Sequence, residues 1–398
     1  MPGAMGRHRH FDLKKLWLVG ILLLTIVVLQ TGACRAADDG DAGWEMVHQA
    51  AVNNNALAQW AYGNHFLVNK DYAQALIWFQ KAADQQYPNA AASLAFMYSN
   101  GWGVAQDYSA ASKWMNKASA GFQNPPKKDL DRSTQLLKEL KKLDPTAVAT
   151  TVDRQKKAAD AGDAFAAFCL YCLCKEGIFI AKDEKEAVGW LKKAAEQKFA
   201  TAEIMLGLSY EKGDGVGKDL SEAAKWYRRP AERGDPFAAA LLGMLLYNTG
   251  DGNPKEFPDA VKWLRLSADK GYMTAQAMLG IMYAQGHGVE KDMKQFFAWT
   301  LKAAEQGFSP SEFEVANSYG IGEGVEPDAT KAFEWCLKAA EHGLVKAETQ
   351  VGQLYWDGDG VKADREAALK WIRKAAAEGD RNANDDLSKM EALITKEK

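Results

Sequence analysis

A tryptophan returns along this chain at Trp78, Trp114, Trp190, Trp226, Trp263, Trp299, Trp335 and Trp371, at intervals of 36, 76, 36, 37, 36, 36 and 36 residues. The double-length interval is bridged at Arg154, where Lys157-Ala158-Ala159 keeps in register the box that elsewhere follows the tryptophan. Self-similarity at a fixed period of this length is the signature of a solenoid: each unit is too small to close a core alone and buries its apolar face on its neighbours. The 398 residues are therefore read as one array, where length alone would suggest two or three globules.

One unit shows why each is a helix pair. Ala275, Met278, Leu279, Met282 and Tyr283 recur at the three-and-four spacing of an amphipathic helix. Gly286-His287-Gly288 stops it, because glycine accepts the left-handed geometry of a helix end. Asp292 then begins the second helix, its carboxylate placed to accept from the unpaired amides of the first turn. Seven residues before each tryptophan stand Asp71, Asp107, Asp183, Asp219, Glu256, Asp292, Asp328 and Asp364. Glu186 and Glu222, three residues beyond their aspartates, predict a capping box. The tryptophan and paired alanines supply a large knob and a flat seat for the adjoining helix, and a glycine such as Gly307 or Gly343 ends the unit.

The chain divides accordingly. Residues 37–54 read as an N-terminal capping helix, 55–87 and 88–122 as the first two units, and 123–162 as a degenerate unit with an insertion, broken at Pro125-Pro126. Six regular units follow at 163–198, 199–234, 235–271, 272–307, 308–343 and 344–379, with 380–398 as a C-terminal cap. Residues 1–36 read as an address. Arg7, Arg9, Lys14 and Lys15 precede the uncharged apolar run Leu16–Leu29, and small residues lead to Ala36. That arrangement fits a secretory signal cleaved after Ala36, a lipoprotein signal with Cys34 as the lipidated residue, or an uncleaved anchor. Each places the repeats outside the cytoplasm: periplasmic, secreted, or membrane-anchored and facing the periplasm. Without 1–36 the formal charge falls from −3 to −7, since five basic residues and one acidic residue leave with it. Such a balance argues against a nucleic-acid partner, which calls for a basic stripe.

Ala202, Leu206, Gly207, Tyr210, Gly213, Gly215, Val216, Asp219, Ala223, Trp226, Ala231 and Gly234 together resemble the Sel-1-like repeat, a longer-looped relative of the tetratricopeptide repeat. The resemblance covers residues 55–380, with departures at Arg229-Pro230, at Leu266-Ser267, and at Tyr171 and Cys174. It implies an all-α, α/α superhelical solenoid of about nine helix-turn-helix repeats. It implies a non-enzymatic scaffold that binds proteins or peptides, with bacterial members in envelope assembly, signalling or host contact. No catalytic residues and no cofactor come with it. Some relatives are credited with binding or hydrolysing β-lactams, so an enzyme remains a lesser alternative.

Local motifs offer little competing chemistry. Cys169, Cys172 and Cys174 tempt a metal or redox reading, but a zinc site wants a second ligand pair and only Cys336 remains in the mature chain. Cys169 and Cys174 fall at core positions of the repeat, so packing is the preferred reading and a disulfide the alternative. Gly213-Asp214-Gly215 and its copies follow helices, which suits a turn and not a phosphate cradle. Asp357-Gly358-Asp359-Gly360 has too few ligands for a calcium loop. His48, His65, His287 and His342 lie in different units and read as solvated surface.

By analogy with tetratricopeptide-type repeats, the first helix of each pair lines the concave face. This selects positions six and two before the recurring tyrosine and one after it, giving Trp60, Phe96, Phe168, Ile204, Leu208, Leu241, Leu245, Ile281, Phe313, Asn317, Gln353 and Trp356. The row is unusually apolar, which marks either a peptide-binding groove or burial between successive first helices. Trp60 and Trp356, near the ends, are expected to be exposed. A protein or peptide is the expected partner; a polysaccharide or peptidoglycan, stacked on the aromatics, is the alternative.

Overall fold

The computed structural model describes residues 51–68, 71–105, 145–177, 180–250 and 253–396, with further positions at 48–49 and between 107 and 118. The expected signal segment and Cys34 lie outside the described residues, as does 121–144 in and before the degenerate unit. The chain forms two compact units, up to Ala238 and from Ala239 onward.

In the first unit, α1 (Ala56–Val68), α2 (Tyr72–Asp84) and α3 (Pro88–Asn100) precede α4 (Pro145–Asp160), α5 (Ala164–Glu176), α6 (Glu184–Glu196), α7 (Ala200–Lys212) and α8 (Leu220–Glu232). The boundary falls within α9 (Pro236–Gly250). The second unit continues with α10 (Phe257–Asp269), α11 (Met273–Gln285), α12 (Met293–Ala304), α13 (Ser309–Ile321), α14 (Ala329–Glu341), α15 (Val345–Asp357), α16 (Arg365–Ala377) and α17 (Arg381–Lys396). No strand occurs among the described residues. Within a repeat, α1 packs on α2, α5 on α6, α7 on α8, α11 on α12, α13 on α14 and α15 on α16. Between repeats, each second helix packs on the next first helix: α2 on α3, α6 on α7, α10 on α11, α12 on α13 and α14 on α15. The expected all-α solenoid of consecutive helix pairs is what the chain forms.

The second helices begin as their sequences predict. Asp183, Asp219, Asp292 and Asp364 each accept from two first-turn amides, at 2.8–3.1 Å. The capping box, however, is not what closes these turns. The amide of Asp219 donates to the Tyr210 carbonyl at 2.8 Å, and Asp292, Asp328 and Asp364 do the same to Tyr283, Tyr319 and Tyr355. With the cap amide already paired to the preceding first helix, Glu186 instead accepts from the Trp190 indole and Glu222 pairs with Lys225. Glu256 departs further: it makes no side-chain cap, and a short 3-10 turn over Pro254–Glu256 feeds α10.

Two glycines set the packing distances. A Cβ on Gly207 would fall inside the ring of Tyr227, which is fully buried, so α7 and α8 approach as closely as they do only with glycine there. Gly324, at φ +77, rests against the carbonyl of Met293, the first residue of the second helix one repeat earlier. The core of each repeat is built from the box that names it. Trp299 is 7% exposed, Ala303 and Ala304 are buried, and Lys302 lies 3.7 Å above the Trp299 ring centroid.

Candidate interaction site

The first helices carry two kinds of side chain that matter for recognition: the apolar row read from the sequence, and a set of buried carboxylates that the sequence reading missed. The two units treat the apolar row differently.

In the first unit much of it is consumed internally. Trp60 is 1% exposed and its indole donates to the Ser93 hydroxyl at 3.0 Å, so the expectation that it projects into solvent is wrong. The cause is packing across the repeat: Trp60 meets Tyr87 edge-on and shares a core with Phe79 and Leu94. Phe168 and Ile204 are buried as well, and Phe96 and Leu208 are half-buried. Phe96 and Phe168 converge on Phe199, with ring centroids 5.7 and 5.3 Å away, and Trp102 stacks between Phe199 and Tyr72. Aromatic side chains from well-separated repeats thus pack on one another.

In the second unit the row stays more open. Leu245 is buried, but Leu241, Ile281, Phe313, Asn317, Gln353 and Trp356 are half-buried. Trp356 is less free than its place near the end suggests, because it packs on the cluster that seats α17 and carries Arg365 at 5.1 Å above its ring. Gln353 donates to Asp386 on α17 at 2.6 Å. Leu241, Ile281 and Phe313 occupy equivalent or neighbouring positions on three consecutive first helices.

The carboxylates stand seven residues before the recurring tyrosine. Glu203 and Glu348 have fully buried side chains, and that of Glu312 is 2% exposed. Each is met by a basic side chain from the second helix of its own repeat or from the residue that ends it. Arg229 reaches Glu203 at 3.0 Å and Arg233 closes on the other oxygen. Lys374 lies 2.7 Å from Glu348, and His342 Nδ1 lies 2.8 Å from Glu312. In the repeat just before that of Glu312, Gln276 and Gln306 make a neutral version of the same clamp at 2.7 Å. Burial pushes the carboxyl of Glu312 up, against the opposing pull of His342 and Lys338. It also pushes up Asp235, which caps α9 at the Ala238 amide beside the Arg233 and Glu203 charges. These groups lock helix pairs together. The signal for them was present as Ala202-Glu203, Ser311-Glu312 and Ala347-Glu348, an acid directly after a small core residue.

The remaining candidates resolve into packing. Cys169, Cys172, Cys174 and Cys336 are buried free thiols. Burial pushes Cys174 up to about 11 and Cys336 up to about 12, far from the thiolate that redox or metal chemistry uses. Among the described residues no group of three His, Cys, Asp or Glu side chains is placed to hold a metal. Two of the histidines are less solvated than expected, since His287 stacks on Phe257 at 4.3 Å and His48 on Tyr62 at 5.0 Å, whereas His342 is exposed as expected although its ring nitrogen meets Glu312. No described helix is long and apolar enough to cross a membrane.

Stacked helix pairs locked by internal clamps, with side chains offered along a row of first helices, define an α/α repeat solenoid. The Sel1 repeat model matches residues 54–87, 88–121, 167–199, 200–235, 236–272, 274–308, 309–344 and 345–380. The chain belongs to the Sel1 repeat family, a non-enzymatic repeat fold whose members generally act as protein–protein interaction scaffolds. Similar solved structures include a Sel1 repeat protein from Oxalobacter formigenes, 31% identical over 57% of this chain and 99% of that one, at a TM-score of 0.47. Another is a protective antigen of uropathogenic Escherichia coli with an SLR fold, 24% identical over 88% of this chain and 90% of that one, at a TM-score of 0.41. No curated protein matches the chain.

Proposed function

We propose that this chain is an exported scaffold that takes a segment of a partner protein along the first-helix face of residues 239–398, in bacterial envelope assembly, signalling or host contact. The observation that carries the reading is the contrast between the units. Trp60 and Phe168 are buried, whereas Leu241, Ile281 and Phe313 keep part of their apolar surface in water. Burying that surface against a partner is favourable, and aromatic and aliphatic anchors of this kind dominate binding energy. An amphipathic helix or an extended segment suits such a row. Export is supported by the basic start, the apolar run Leu16–Leu29 and the small residues before Ala36, with Cys34 as the lipid-bearing alternative.

Photo-crosslinking tests the face. A photoreactive residue at Ile281 or Phe313 should capture a partner segment from envelope extracts, and the same residue at Lys294, on a second helix, should not. Capture from both faces alike would remove the first-helix reading. Mass spectrometry of the mature N-terminus distinguishes cleavage after Ala36 from lipidation of Cys34, and an intact N-terminus in a cytoplasmic fraction would remove export.

A further inference from the structure

We infer that the segment taken by this face is cationic as well as apolar, its apolar anchors seated over Phe313 and Ile321 and its basic side chains against Glu314, Glu323 and Glu326. The inference rests on the first-helix reading above and names the chemistry of the occupant.

Charge is distributed unevenly along the second unit. Helices α9 and α11 contain no charged residue. Residues 308–328, comprising α13 and its following loop, contain five carboxylates and no lysine, arginine or histidine. Two of the five have internal roles: Glu312 is clamped by His342, and Asp328 caps α14 and pairs with Lys331 at 3.2 Å. Glu314, Glu323 and Glu326 are left exposed at the surface. Burial pushes the Glu314 carboxyl up, a hydrogen bond from Asn317 and the neighbouring Lys346 pull it down, and Glu323 adds to the local negative potential.

The same loop in other repeats shows that this is a departure. Where this repeat has Glu326-Pro327, the equivalent pairs are Gly217-Lys218, Glu290-Lys291 and Lys362-Ala363, each with one lysine, while Ala105-Gln106 of the second repeat is uncharged. Where the others have Lys212, Gln285 and Asp357 at the end of the first helix, this repeat has Ile321. Ile321 is 72% exposed, the highest value among the large hydrophobic side chains identified as exposed. At a single place in the array a cation has been removed and a polar residue replaced by an aliphatic one. A lone exposed isoleucine is unremarkable on any surface. This one ends the helix that carries half-buried Phe313 and Asn317 and exposed Glu314, and it precedes Glu323 and Glu326 in the loop that follows.

The consequence for recognition follows from electrostatics. An acidic segment would bring like charge against Glu314, Glu323 and Glu326, whereas lysine or arginine side chains neutralise them and speed encounter. A polar basic segment would gain the charge term but leave Phe313 and Ile321 uncovered. A segment with aliphatic anchors and basic neighbours satisfies both.

The test uses the purified full chain and three synthetic peptides of equal length, built from leucine and lysine, from leucine and glutamate, and from serine and lysine. Binding is followed by fluorescence anisotropy at two salt concentrations. The leucine–lysine peptide should bind and weaken with salt, and the other two should not bind. Glu323→Lys/Glu326→Lys and Ile321→Ser should each weaken it by ~10-fold or more. All three positions are exposed, so the thermal midpoint should stay at the wild-type value and serve as the check on folding. Equal binding of the leucine–glutamate peptide would overturn the cationic requirement while leaving the first-helix reading in place. Equal binding of the serine–lysine peptide would overturn the apolar seat. Absence of binding by every peptide, or indifference to both variants, would overturn the inference as a whole, and the crosslinking from Ile281 and Phe313 would still decide the face independently.

Discussion

Replacing both Arg229 and Arg233 by alanine leaves Glu203 as a buried carboxylate without a cation from its second helix. Its side chain is fully buried, whereas the two arginines are 37% and 38% exposed. Stripping the partner from a buried ion pair costs about 3–5 kcal/mol, because the orphaned charge retains its desolvation penalty. The exposure of the arginines lowers this, since part of their field is already screened by water. A single substitution leaves the other arginine in contact and should cost about 1–2 kcal/mol, and the double substitution about 3 kcal/mol. In an array whose units lean on their neighbours, the loss should be local. Hydrogen exchange should therefore show amides of α7 and α8 opening about a hundredfold faster in the double variant, with α15 and α16 unchanged. Adding Glu203→Gln to the double variant should restore most of the protection, because a neutral amide at this register is tolerated two repeats on as Gln276. Failure of that rescue would refute the reasoning, since it would mean that the arginines act through packing on Trp226 and not through the buried charge.

Three further outcomes follow from named contacts. Gly207→Ala should destabilise by about 1–3 kcal/mol, since its Cβ would enter the ring of Tyr227, which is held by a 2.7 Å bond to Glu211. Gly189→Ala, in a helix interior where a Cβ meets nothing within 4 Å, should stabilise by about 0.5–1 kcal/mol; thermal midpoints moving together would contradict the distinction. The folded state raises the carboxyl of Glu312, so it binds that proton more tightly than the unfolded chain does, and stability should fall as pH rises from the ordinary glutamate value of 4.5 through the raised folded value. Glu312→Gln/His342→Gln recreates the neighbouring Gln276–Gln306 clamp and should flatten that part of the profile of stability against pH; an unaltered slope would place its origin elsewhere. Trp299→Ala should cost about 3–5 kcal/mol and loosen residues 273–307 before the far end, which hydrogen exchange would show as a local loss of protection.

What could be read in advance was whatever the period itself encodes. The spacing of tryptophans, the aspartates seven residues before them and the glycine pairs fixed the helix pairs, since each depends on a local backbone or packing rule. The failures have a common origin in contacts that cross between helices. The capping box was a sound local expectation at Glu186 and Glu222, but the cap amide is claimed by a carbonyl of the preceding helix, that of Cys174 in the first case and Tyr210 in the second, which no local rule foresees. Glu203, Glu312 and Glu348 look like helix-surface acids until the second helix or its end brings a basic side chain over them. Trp60 looked exposed because an end position suggests it, yet Tyr87 at the end of its own repeat and Ser93 of the next enclose it. Arg229, a departure from the repeat pattern, proves to be one arm of the Glu203 clamp.

The second glycine of the loop has a bearing on how such chains change length. Gly215, Gly288, Gly324 and Gly360 each abut the opening residue of a second helix one repeat earlier: Glu184, Phe257, Met293 and Ala329. The opposing surface at each junction is mostly main chain, so it reads almost the same whatever side chains the two repeats bear. Repeats joined this way are interchangeable parts: one can be duplicated, deleted or transplanted in whole-period steps without redesigning the joint, whereas a gain or loss of a few residues throws every later joint out of phase.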